Sequence, residues 1–252
     1  MTAAFFLVDR FAQAPDVGSV ITVSGDEGRH AVTVRRLGAG EPVLVGDGAG
    51  RVVSGTVVGS VGKDVLEVSV ESYVEHRTPA PRVVVVQALA KGERGELSVE
   101  LLTEVGVDEV VPWAASRSVA RWVGDKVERG LAKWRATARE AAKQSRRPFV
   151  PEVTGLASTA DVVERVRATV VGGGTALVLH EAAGLRLASM RLRPDGEVLL
   201  VVGPEGGISD EERTAFEDAG ALSARLGPSV LRTSTAGTVA AAVVLASCGR
   251  WD

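Results

Sequence analysis

Apolar residues along positions 1–72 come in short Val-rich runs that break at glycine-bearing turns. Val43–Val45, Val52–Val53, Thr56–Val58 and Val65–Val70 read as strands. Between them stand Gly38-Ala39-Gly40, Gly46-Asp47-Gly48-Ala49-Gly50 and Gly62-Lys63-Asp64, whose glycines favour tight turns. Short strands at this spacing predict a small barrel or sandwich, interrupted by one helix from about Glu27 to Leu37. Residues 73–82 carry Pro79 and Pro81 around one alanine, which disfavours helix and sheet alike and predicts a linker.

The texture changes over residues 83–252. Arg82–Val86 and Val198–Val202 end in continuous apolar runs, as in strands buried on both faces. Glu109–Val111, Ala176–Leu179 and Ala224–Leu226 are shorter strand signals. Helical signals separate them, near Leu97–Val105, Asp161–Ala168, Asp210–Asp218 and Thr235–Cys248. Alternating strands and helices predict an α/β domain with a parallel sheet.

One further helix carries the chain's charge asymmetry. Val127, Leu131, Trp134, Ala138 and Ala141 recur at spacings of four and three, the apolar stripe of a helix. Arg135, Arg139, Lys143 and Arg146 follow the same spacing one residue on, a basic stripe beside it. Ten basic residues and three acids lie between Arg117 and Arg147, a net +7 in a chain whose total is −3. A solvated helix face would explain part of this. The concentration points further, to a polyanion such as RNA or DNA.

Composition narrows the chemistry. The lone Cys248 can form no internal disulfide or cysteine-based zinc site, and three histidines at 30, 76 and 180 make no metal-binding cluster, so no metal is expected. The start lacks the basic region of a signal peptide, and the apolar stretch Ala236–Cys248 is shorter than the roughly 20 residues a bilayer span needs. A soluble cytoplasmic protein is the expectation. There is no Walker lysine, no His-Glu-x-x-His, no Gly-x-Ser-x-Gly, and Val53 breaks the dinucleotide fingerprint that Gly48 and Gly50 would start.

Two loops remain. Leu199–Val202 runs into Gly203-Pro204-Glu205-Gly206-Gly207, and Ser209 with Glu212 three residues on forms a capping box for the next helix. Glycines there let the backbone approach a ligand closely. An ordinary strand-to-helix loop would need glycine too. Leu226-Gly227-Pro228-Ser229-Val230-Leu231-Arg232-Thr233-Ser234 is the second, with Thr233 or Ser234 as expected cap of an Ala-rich helix.

Taken together, these loops resemble the SPOUT-class RNA methyltransferases, and most closely the RsmE family, which methylates N3 of a uridine in bacterial 16S ribosomal RNA. The resemblance extends to His30–Gly50, with Arg36 at the expected arginine, and to Gln87–Trp113 and Lys133–Val153. Three positions depart from the family pattern: Ser234 and Ser116 stand where acids are usual, and Arg146 where glycine is common. The family implies a PUA-like barrel over 1–72 and a SPOUT α/β domain over 83–252 with a deep trefoil knot. It also implies a homodimer acting on 16S rRNA or the 30S subunit, and S-adenosylmethionine as cofactor.

On this resemblance, the cofactor residues are Leu179, His180, Glu181, Gly203, Pro204, Glu205, Gly206, Gly207, Leu226, Gly227, Val230, Leu231, Arg232 and Thr233. Arg232, whose charge does not titrate away, would steady developing negative charge on the base. Glu205 would act as a base or simply fix its loop. Arg29, Arg35, Arg36, Arg117, Arg135, Arg139, Lys143, Arg146 and Arg147 are the candidate RNA contacts. Rival readings are a SPOUT enzyme acting on another rRNA or tRNA atom such as a ribose 2′-oxygen, a non-catalytic RNA-binding assembly factor, and an α/β enzyme on a small metabolite.

Overall fold

The computed structural model describes residues 3–11 and 13–251. Met1, Thr2, Ala12 and Asp252, which fall within the expected domains and in part in the start read for a signal peptide, lie outside the described residues. The chain divides into two compact units. One comprises residues up to Thr78 together with Ala142–Val150, and the other Pro79–Ala141 with 151 onward.

In the first unit, β1 (Ala4–Leu7) and β2 (Val20–Val23) precede a short helix α1 (Gly25–Arg29), which continues as a π-type turn over His30–Val34. Then come β3 (Pro42–Gly46), β4 (Arg51–Val61) and β5 (Val65–Glu75). The sheet order is β1-β3-β4-β5-β2, with β1 parallel to β3 and every other pair antiparallel. Alternation drives it: Leu66, Val68 and Val70 of β5 and Val53 and Val57 of β4 point into one core with Phe6, Val43 and Val45. β5 runs to Glu75, through the first residues expected as linker, because Val74 and Tyr73 pair with Val52 and Val53.

Residues 142–150 join this unit for a steric reason that local patterning does not reveal. Gly50 donates its N–H to Pro148 O at 2.9 Å, and a Cβ at Gly50 would lie 2.6 Å from the Phe149 ring. Ala142 and Val150 pack with Phe5 and Leu7.

The second unit holds β6 (Arg82–Ala88), α2 (Arg94–Val105), β7 (Glu109–Trp113), α3 (Asp125–Gln144, its last turn in the first unit), β8 (Glu152–Val153), α4 (Thr159–Val171), β9 (Thr175–Leu179), β10 (Leu185–Arg186), β11 (Glu197–Val202), α5 (Asp210–Asp218), β12 (Leu222–Arg225) and α6 (Thr233–Ser247). Every pairing in its sheet, ordered β10-β12-β9-β11-β6-β7-β8, is parallel. Val84, Val86, Leu199 and Val201 face α4 and α5, where Val162, Val166 and Phe216 complete a core. Their neighbours along the strands face the other side, against α6, which also packs on α2. Both faces are covered, which is why the strands read as unbroken apolar runs.

Two further details differ from expectation. The N-cap position of α6 is Arg232, not Thr233 or Ser234, and no side chain caps the helix, because the Thr233 hydroxyl is turned to a strand-end carbonyl instead. In α3, Leu131, Trp134, Ala138 and Ala141 are buried as the stripe requires, but Lys143 is buried too, its ammonium 2.7 Å from Glu27. No helix among the described residues is long and apolar enough to cross a membrane.

Candidate functional site: a cavity at the carboxyl ends of the parallel strands

In a parallel sheet the loops leaving the carboxyl ends of the strands are where ligands bind, since helix N-termini and open backbone gather there. Here the loops after β6, β7, β9, β11 and β12 enclose a cavity of about 500 Å³. Its wall includes Leu179, His180 and Glu181 from β9, Gly203 to Ile208 from β11, and Val230 to Thr233 ahead of α6. Leu226 and Gly227 line a smaller recess of about 80 Å³ that shares Leu179, His180, Glu181, Val230 and Leu231. Each of the fourteen residues expected to hold the cofactor thus borders one of these two spaces.

The glycine turn is shaped by close approach. Gly207 donates its N–H to Pro204 O at 2.9 Å and has φ +72°, a conformation glycine adopts without strain. A Cβ at Gly203 would fall 2.7 Å from Ile208 Cγ1, and one at Gly206 would fall 3.0 Å from the Arg117 carbonyl oxygen. Downstream, Ser209 accepts the Glu212 N–H and the Glu212 carboxylate accepts the Ser209 N–H, the reciprocal cap expected from the sequence.

The charged groups divide by role. Arg232 borders the cavity, is exposed, and its guanidinium has no hydrogen-bond or ion-pair partner among the described residues. Glu205 is engaged: Oε1 accepts the Lys91 backbone N–H at 3.1 Å and lies 3.4 Å from Arg94 Nη1. His180 Nδ1 accepts the Ala182 N–H at 3.2 Å. Arg117 reaches the Gly206 carbonyl at 3.5 Å. Next to Asp210, a lining residue, the Glu211 carboxyl is held below its ordinary value by hydrogen bonding to its own backbone N–H, then by Ser209, with the Arg117 charge adding to both.

Arg94, Val202, Ile208, Asp210 and Ala236 also border the cavity and were not anticipated. Arg94 follows the loop after β6, so the strand-end rule applied to β6 finds it.

The other arginines fall on both units. Arg29, Arg35, Arg36, Arg146 and Arg147 belong to the first with Lys143, and Arg117, Arg135 and Arg139 to the second. Arg35, Lys143 and Arg146 border a cleft of about 100 Å³ with His30 and Gln144. Arg36 and Arg146 both sit at φ +54°, the left-handed region most side chains avoid. Arg135 donates to the Val153 carbonyl at 3.1 Å.

This fold and site define a class. An RNA methyltransferase PUA domain matches residues 23–71 and an RNA methyltransferase domain matches residues 76–245. Ribosomal RNA small subunit methyltransferase E of Mycobacterium tuberculosis (strain CDC 1551 / Oshkosh) is 48% identical over 252 residues, 100% of this chain and 95% of that one. The enzyme of the same name from Bacillus subtilis (strain 168) is 26% identical, covering 92% and 91%. The chain belongs to the ribosomal RNA small subunit methyltransferase E family. Among solved structures, a Legionella pneumophila protein in complex with the bound cofactor SAM superposes with TM-score 0.83 at 27% identity, covering 98% of both chains. The Neisseria gonorrhoeae methyltransferase E bound to S-adenosyl methionine gives TM-score 0.83 at 23% identity over 97% and 98%, a match of fold.

Proposed function

We propose that the protein is an S-adenosylmethionine-dependent enzyme that methylates N3 of a uridine in the 16S rRNA of the small ribosomal subunit. The carrying observation is the 500 Å³ cavity between two glycine-bearing loops with an unpaired arginine, Arg232, on its border. The names and bound cofactor of the relatives support the same reading.

The residues present fit the cofactor. Leu179, Val202, Ile208 and Leu231 offer apolar surface to an adenine and an aliphatic chain, and Glu181 and Asp210 offer acid to a cationic ligand such as a sulfonium. Gly203 and Gly206 keep the cavity wall tight where any side chain would displace it. When bound, S-adenosylmethionine supplies an electrophilic methyl group.

The chain's own residues have the remaining work. Uridine N3–H is a weak acid, and the base becomes reactive as that proton is lost to solvent. Arg232 holds the negative charge that then spreads onto the neighbouring uracil oxygens. Its guanidinium is free to do so, since no carboxylate among the described residues neutralises it. Glu205 fixes its loop rather than serving as base, because its Oε1 already accepts from Lys91 and lies beside Arg94. N3 lies on the Watson–Crick edge, so the target nucleotide is taken unpaired.

RNA phosphates are gripped by exposed Arg29, Arg35, Arg36 and Arg146 on the first unit and by Arg117 on the second. Lys143, buried against Glu27, holds the first unit together instead. In this reading the second unit also carries a trefoil knot and forms a homodimer, and the enzyme works in the cytoplasm. The test is methyl transfer from labelled S-adenosylmethionine to 30S subunits from a strain lacking the modification, with the product nucleoside identified by digestion and mass spectrometry. N3-methyluridine is expected, and its loss in Arg232→Ala. Cofactor binding without transfer to 30S subunits or free 16S rRNA would sink the substrate assignment.

A further inference from the structure

We propose that Gln87 is a positioning residue that sets the gap between the two cofactor loops, and that the segment Gln87–Arg94 straps both loops to the sheet; this rests on the cofactor reading of the cavity. Gln87 is the penultimate residue of β6 and is fully buried, on the sheet face that packs against α6. A buried amide in an apolar face needs a reason, and its hydrogen bonds supply one.

The direction of those bonds is forced. The Thr233 hydroxyl lies 2.7 Å from the Gly203 carbonyl oxygen. A carbonyl only accepts, so the hydroxyl's single hydrogen is spent there. The 3.0 Å contact between Gln87 Nε2 and Thr233 Oγ1 therefore runs from amide to hydroxyl. The second amide hydrogen points toward Ala88 O at 3.3 Å. Gln87 Oε1 is left buried without a partner, beside Gly237 of α6, where an added Cβ would sit 3.5 Å away. The amide thus keeps its donor on the loops at the expense of its own oxygen, the opposite of what stability alone would select.

The relay joins three chain segments that are remote in sequence. Gly203 follows directly on β11, Thr233 begins α6 at the end of the β12 loop, and Gln87 is the last residue but one of β6. Four residues on, the same β6 segment returns to the β11 loop: Lys91 N–H and Arg94 hold Glu205. Both walls of the cavity are therefore referenced to one strand, and loosening the relay widens the cavity before it disturbs the core.

The experiment is calorimetric binding of S-adenosylhomocysteine to the whole protein, beside thermal melts of each variant. Gln87→Met removes the donor and the orphan oxygen together, so the fold is expected to melt close to wild type while the ligand binds roughly threefold to tenfold more weakly, the factor one buried hydrogen bond supplies. Thr233→Val is expected to match that loss, and Thr233→Ser to restore most of it. Wild-type affinity in a folded Gln87→Met, or equal affinities for Thr233→Val and Thr233→Ser, would overturn the proposal. If Gln87→Met does not fold, the Thr233 pair still decides. Failure of the wild-type protein to bind at all is a separate result, which would remove the cofactor reading itself.

Discussion

Glu212 accepts the backbone N–H of Ser116 at 2.7 Å, across 96 positions of sequence. The same buried carboxylate accepts from the Thr159 hydroxyl at 3.1 Å and from its own cap, the Ser209 N–H, at 3.1 Å. It therefore ties the loop after β7 to the start of α5, and that loop carries Arg117 onto the Gly206 turn. Glu212→Ala strands three donors in a buried setting. A loss of about 2–3 kcal/mol is expected, lowering the melting temperature by roughly 5–10 °C. Glu212→Gln keeps an acceptor and is expected to recover part of it. Calorimetric unfolding of the three proteins checks this, and an unchanged Ala variant would show that the carboxylate is not a structural tie.

Arg232 and Glu205 border the same cavity, and their hydrogen bonding separates their roles. Arg232→Ala removes the charge that steadies the uracil anion and is expected to lower kcat about 10²–10³-fold with little change in cofactor affinity. Glu205→Gln keeps an oxygen to accept the Lys91 N–H and is expected to stay within a few-fold of wild type. Single-turnover methylation of 30S subunits measures both. A collapse of Glu205→Gln to the level of Arg232→Ala would make Glu205 a base.

Why some of this was legible and some not follows from the range of each interaction. The Ser209–Glu212 cap spans three residues and was readable as a pattern of residue types. The runs at Val83–Val86 and Leu199–Val202 were readable because both faces of their sheet are covered. Gln87 gave no signal, since its partner Thr233 lies 146 positions away. The strand order, with β11 between β9 and β6, is set by packing that no local window contains. Lys143 and Arg146 read as members of a basic helical stripe, whereas residues 142–150 belong to the first unit, where Gly50 lies against Phe149. The Thr233 cap failed for a like reason: a hydroxyl at a helix start caps by default, and here a strand-end carbonyl 30 residues away competes for it.

Arg146 has φ +54°, in the left-handed region that favours glycine. A side chain there carries a backbone strain that glycine relieves. Arg146→Gly is therefore expected to gain up to about 1 kcal/mol of stability while losing one phosphate contact. RNA affinity should fall, and the slope of log affinity against log salt should become shallower by about 0.7–0.9. Melting curves and filter binding at several salt concentrations test the two halves together. A rise in stability with an unchanged salt slope would show that Arg146 touches no phosphate.

Arg250 clasps the end of α6 to the sheet. Its Nη1 lies 2.6 Å from Asp108 Oδ2 and 3.0 Å from the Pro81 carbonyl, and its Nη2 lies 3.2 Å from Asp108 Oδ1 and 3.3 Å from the Gly106 carbonyl. The pair is mostly buried, with side chains 10% and 14% exposed, so salt screens it weakly. The planar fork meets both carboxylate oxygens and two carbonyls at once, which an ammonium cannot do. Arg250→Ala leaves Asp108 without its guanidinium in a buried site, and a loss of about 3 kcal/mol is expected. Arg250→Lys should recover only a minor part of that, and the wild-type advantage over both variants should persist in high salt. Denaturant titrations at low and high sodium chloride measure it. An advantage that vanishes with salt would reduce the clasp to a surface ion pair and leave α6 held by its apolar face alone.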